Sequence, residues 1–178
     1  NTMQTAREKK YLTLLRKPIK TKEEVAEMLN SQKEFGKELT REEEYLLKDI
    51  ENNGLIIDSV WDLVNTSQSY PEAIEPLRKH LSGNYHIRNK EGIIRALGVI
   101  ESGIKEVKAL VNEYGNVDDD NLNWTIIMSI HNILRPQKIK DLLAQTDDKD
   151  HFIIELIKNK KMSLNNFEKF FKESKSQF

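Results

Sequence analysis

The chain has 178 residues and a formal net charge of −1, from 28 basic and 29 acidic side chains; 38% of it is hydrophobic and 32% charged. That length suits one domain or a short repeat array with a packed core. The balanced charge argues against a nucleic-acid module, which needs a basic face. No run of about eighteen apolar residues is present to span a membrane, and zero cysteines exclude disulfides, thiolate metal sites and a cysteine nucleophile.

The segment from Met3 to Arg16 reads as a helix with Ala6, Tyr11, Leu12, Leu14 and Leu15 as its apolar positions, ended by Pro18, which has no N–H for the ladder. Thr21 and Glu24 have the spacing of a capping box and open the next helix, with Val25 and Met28 expected inward and Gly36 as its stop. Thr40 and Glu43 repeat that spacing and predict a further helix start, with Leu46, Leu47 and Ile50 inward. Asn53-Gly54 is a turn signal, and Leu55 to Asn65 is expected to be helical. Ser69 and Pro71 then mark a start for PEAIEPLRKHL, facing inward through Ile74, Leu77 and Leu81.

The helix expected over Asn89–Glu101 carries an apolar stripe at Ile93, Ile94, Leu97 and Ile100. Gly103 opens a helix with Val107, Leu110 and Tyr114 inward. The aspartates at 118–120 precede another over Asn121–Leu134, where the helix dipole favours negative charge. Pro136 begins a segment facing inward through Ile139, Leu142 and Leu143. HFIIELIKNKK follows, and Ser163 caps a last amphipathic helix with Phe167, Phe170 and Phe171.

Similar stripes start at Ile56, Ile93, Ile126 and Ile153, with partner helices at Ile74, Val107 and Ile139. A recurrence of roughly 27–37 residues is the mark of stacked helix pairs. No Thr-Pro-Leu-His turn of ankyrin repeats is present, nor the small-residue and aromatic pattern of tetratricopeptide repeats. The tail Arg95-Ala96-Leu97-Gly98 resembles the second helix of a HEAT repeat, and the resemblance covers about residues 41–160. Asn89-Lys90 stands where that family usually has Val-Arg, and Lys160 stands at the last apolar position of the fourth unit, which implies a degenerate cap. The resemblance implies an all-α, right-handed solenoid of about four HEAT-like helix pairs. Residues 1–38 would form N-terminal capping helices, 39–162 the repeats and 163–178 a C-terminal helix.

Catalytic patterns are missing. His80, His86, His131 and His151 are followed by Leu, Ile, Asn and Phe, so no His-Glu pair of the HEAT-like hydroxylases exists, and no His-Glu-x-x-His zinc spacing either. There is no Gly-rich phosphate loop and no Gly-x-Ser-x-Gly. The acids at 42–44 and 118–120 read as cap and loop charges, and Tyr45, Trp61 and Tyr70 as core or turn residues. We expect no metal and no cofactor.

What remains is a surface. In a HEAT array the second helices line a concave face, and superposing the stripes puts Asp58, Arg95, Met128 and Glu155 in one row. Glu91, Trp124 and His151 fall in a second, and Asp62, Val99, Asn132 and Asn159 in a third. Trp, Met and Arg are frequent contact residues in interfaces. The expected function is therefore non-catalytic binding of a protein or peptide through Glu91, Arg95, Trp124, Met128 and Asn132, a regulatory or toxin-neutralising partner being one version. The other reading is a HEAT-like enzyme or accessory factor acting on a nucleobase or chromophore. The absence of cysteine and of an apolar leader in NTMQTAREKK fits a cytoplasmic location.

Overall fold

The structure, a computed structural model, describes residues 4–176. Among these the chain is all-α, and no helix is long and apolar enough to cross a membrane. Met3 lies outside the described residues.

Helix α1 (Ala6–Arg16) is capped by Thr5, whose hydroxyl accepts from Glu8 N at 3.1 Å. It runs against α2 (Lys22–Asn52), which opens on the expected Thr21–Glu24 capping box. The expected break at Gly36 does not occur. A mid-helix glycine costs only about 1 kcal/mol, and α2 continues through it to bury Phe35, Leu46 and Ile50. Thr40 is therefore no cap: its hydroxyl donates back to Gly36 O at 3.1 Å. Position 38/39, expected to divide cap from repeats, falls inside this helix. Tyr45, expected in the core or a turn, is 79% exposed on α2.

Two carboxylates further along α2, Glu42 and Glu43, hold the body instead of capping their own helix. Glu43 is buried and accepts from Val60 N at 3.3 Å and Ser59 Oγ at 3.4 Å. Glu42 accepts from His86 N and Asn89 Nδ2, each at 2.6 Å. Each acid thus satisfies free N–H groups at the start of another helix.

Helix α3 covers only Val60–Asn65, not Leu55–Asn65, and Ile56 is exposed rather than part of an inward stripe. Ser59 and Asp62 form its capping box. Helix α4 (Pro71–His80) starts at proline as expected, but its N-cap is Tyr70, without a side-chain cap bond. Buried Tyr70 donates its hydroxyl to Ala96 O at 3.0 Å instead. Helix α5 (Ile87–Leu97) is shorter than expected: Ile93, Ile94 and Leu97 are fully buried, whereas Ile100 lies beyond its end and is exposed.

Helices α6 (Ile104–Glu113) and α7 (Asp120–Ile133) follow, the latter capped by Asp119 accepting from Leu122 N at 2.7 Å. Gly115, between them, has φ +84°, a left-handed turn that suits glycine. A 3-10 turn at Pro136–Lys138 leads into α8 (Ile139–Ala144), α9 (His151–Lys158) and α10 (Leu164–Lys175).

Helices α3, α5 and α7 lie side by side in chain order, with α4 packed on α5 and α6 on α7. The fourth unit departs from the expected rows. Besides α5 and α6, the helix that packs most extensively against α7 is α10 rather than α9. His131 stacks edge-on against Phe167 with centroids 5.0 Å apart, and Tyr114 against Phe171 at 4.9 Å. Phe167 and Phe171, both fully buried, make this contact through their rings.

A buried ion pair ties the second layer to the first. Lys90 Nζ on α5 lies 2.6 Å from Glu113 on α6, with side chains 5% and 6% exposed, and also donates to Gly83 O at 3.0 Å. This is how Asn89-Lys90 substitutes for an apolar-basic pair: Asn89 reaches α2 and Lys90 reaches α6.

Candidate functional site

The expected surface is built on α5 and α7, and small residues set how close they come. On its α3 side α5 presents Gly92, where a methyl group would lie 2.6 Å from Val60 Cγ1 and 3.2 Å from Trp61 Nε1. On its α7 side it presents Gly98, next to Ser129. The Ser129 hydroxyl donates to Ile94 O at 3.0 Å, a buried bond between the two helices. Glu91, Arg95 and Met128 are the chain neighbours of these contact residues, placed just outside the closest approach.

Glu91 and Arg95 are one turn apart and pair as expected: Arg95 Nε donates to Glu91 Oε1 at 2.8 Å. Both side chains remain partly accessible, at 29% for Arg95 and 21% for Glu91. Trp124 and Met128, also one turn apart, are half-buried and lie outside the apolar core cluster, whereas Trp61 is packed against it. Asn132 is exposed, its carbonyl accepting from Arg135 Nε at 3.3 Å.

The longer rows are not brought together as expected. Asp58 sits in the turn before α3, with its N–H bonded to Asp62 Oδ2 at 2.9 Å. Val99 follows the end of α5 and packs against the core. Glu155 and His151 belong to α9 and so leave the row beside α7; Asn159 is the C-cap of that helix.

Arg95 also lines an open groove of about 360 Å³ between the ends of α3 and α5. Its other walls include Ser69, Glu101 and Arg135. Ser69 hydroxyl donates to Glu101 across this groove. Arg135 is exposed at the turn before Pro136 and belongs to no helical stripe, so periodicity gives no signal for it. Two guanidinium groups facing one groove suit a partner's carboxylate or carbonyl oxygens. Below the groove, Lys138 Nζ donates to Ile100 O and Ser102 O, and burial pushes its ammonium below the usual lysine range.

Two of the four histidines, His80 and His86, are occupied structurally. His86 Nδ1 accepts from Arg88 N at 3.1 Å while Nε2 faces Glu8 at 2.9 Å. His80 bridges Tyr85 at 2.6 Å and Asp49 at 2.7 Å. Among the described residues no group of three or more metal-ligating side chains comes together.

No protein-family model, curated protein or solved structure matches the chain.

Proposed function

We propose that the chain is a HEAT-like helical-repeat protein of right-handed solenoid form that binds a protein or peptide, without catalysis, on the surface of α5 and α7. The observation that supports this most is the pair Trp124 and Met128: two large apolar side chains, half-buried, outside the core and one helical turn apart. Beside them stands the Glu91–Arg95 pair, and beyond it a groove with a second guanidinium from Arg135. An apolar anchor with a charged flank suits a partner helix or loop better than a phosphate backbone. The side-by-side order of α3, α5 and α7 supports the repeat reading.

The test is a partner captured with the intact protein, followed by affinity measurements on variants. Arg95→Ala should leave the melting temperature almost unchanged, since an accessible ion pair contributes about 0–1 kcal/mol. The same change should weaken the partner by at least about 1 kcal/mol, as should Trp124→Ala. If both variants bind as tightly as the wild type, the partner sits elsewhere.

A further inference from the structure

Residues 22–30 of α2 and the whole of α1 form a hairpin in which no apolar side chain is fully buried, and Tyr11, Leu12 and Leu14 are half-buried. The only buried side chain of α1 is Glu8, and α2 buries nothing before Ser31. Val25, expected inward, is 39% exposed, and Met28 is only half-buried. Leu15 at 47%, Ile19 at 83% and Leu29 at 54% add to the same end of the molecule. Val25 and Leu29 are one turn apart. On helical spacing their side of α2 continues through Gln32, Gly36 and Leu39, which line a cleft of about 420 Å³ at the base of the hairpin. α1 packs mainly on α2 and reaches the body through Glu8 and His86, so Leu15, Ile19, Val25 and Leu29 at the other end stay uncovered.

The charges of the hairpin indicate what the cover is. α1 carries Arg7, Lys9, Lys10 and Arg16 against Glu8; residues 22–34 carry Glu23, Glu24, Glu27 and Glu34 against Lys22 and Lys33. Lys10–Glu27 and Lys17–Glu24 pair within the hairpin. Lys9 and Arg16, two turns apart on α1, have no ion-pair partner among the described residues, and neither has Glu23. A basic arm and an acidic arm in one hairpin are each other's complement, and a two-fold axis sets a surface against itself.

We propose that the α1–α2 hairpin is a self-association surface. Two copies pack their hairpins antiparallel, the basic α1 of one over the acidic α2 of the other, with Leu15, Ile19, Val25 and Leu29 covered between them. The arrangement is a four-helix contact of the ordinary up-and-down kind. It is independent of the α5–α7 surface.

Sedimentation equilibrium of the intact protein tests it. A dimer is expected at about 100 µM, well above the dissociation constant of even a contact in the 10 µM range. A monomer at that concentration overturns the proposal. Val25→Lys combined with Leu29→Lys should keep the helical circular dichroism, because neither side chain is buried, and should weaken the dimer at least about tenfold by setting added positive charge against the basic α1 of the other copy. A double variant that dimerises as tightly as the wild type places the interface elsewhere and overturns it. Should that variant lose helicity, Arg16→Glu carries the test, since Arg16 holds no ion pair in the protomer. The same weakening is expected, and an unchanged dimer overturns the α1-over-α2 packing.

Discussion

Gly98 at the end of α5 is pressed against Ser129 of α7: a methyl group there would lie 2.8 Å from Ser129 Oγ and 3.0 Å from its Cα. Its backbone φ of −78° is open to any residue, so contact and not conformation requires the glycine. One of the opposing atoms is main chain and cannot swing aside. Gly98→Ala should therefore cost about 1–3 kcal/mol, the usual penalty for overpacking. Gly36, inside α2 with nothing within 4 Å of an added methyl, gives the opposite expectation. Gly36→Ala should stabilise by up to about 1 kcal/mol through helix propensity. Urea denaturation of both variants checks the pair, and equal signs would refute the packing argument.

Lys90 and Glu113 are a buried ion pair, and such pairs are costly to break on one side. Lys90→Met leaves Glu113 buried with only Asn116 Nδ2 donating, at 3.3 Å, and should lose about 3–5 kcal/mol. Adding Glu113→Leu should recover most of that loss. A double-mutant cycle in urea measures the coupling, and a coupling near zero would show that the pair does not hold α5 to α6.

Glu43 is a carboxyl whose pKa burial raises from 4.5, more strongly than the bonds from Ser59 and Val60 lower it. A group with a higher pKa folded than unfolded binds more protons in the folded state across that interval, so stability falls as pH rises through it. Glu43→Gln removes this dependence and keeps an oxygen for the Val60 N–H. The variant should be at least as stable as the wild type at neutral pH and show a flatter stability profile just above pH 4.5. Lower stability at neutral pH would mean that the charged bond to α3 outweighs the cost of burial.

Leu97 is fully buried at the foot of α5. Leu97→Ala should cost about 2–5 kcal/mol from lost transfer energy and the cavity left behind. A loss under about 0.5 kcal/mol would put the side chain at the surface.

Periodicity made the interior legible wherever a stripe was long. Ile93, Ile94 and Leu97, and Ile126, Ile127, Ile130 and Ile133, are all fully buried. The Ala-Leu-Gly ending carried a physical message too, since Gly98 leaves no room for a methyl group against Ser129 of α7. Local signals failed where tertiary contacts decide. Thr40 and Glu43 have capping-box spacing, but Glu43 bonds to α3 and the helix runs on. Ile56 and Ile100 kept the stripe spacing past the helix ends, where they meet solvent. The place of the fourth unit could not be read by superposition, because α10, with its rings, makes the main packing on α7. At the surface, the Glu91–Arg95 pair follows from helical spacing alone, while the groove position of Arg135 depends on a turn.

The unbroken course of α2 has a mechanical consequence. From Leu29 near the hairpin end to Leu46 in the core is about 25 Å of continuous helix at 1.5 Å per residue. No turn, proline or left-handed residue interrupts it. The hairpin is thus an arm rigidly fixed to the body rather than one hung from a hinge. A load on Val25 or Leu29 is delivered as torque to Leu46 and Ile50, and through them to α4, which packs on the same helix.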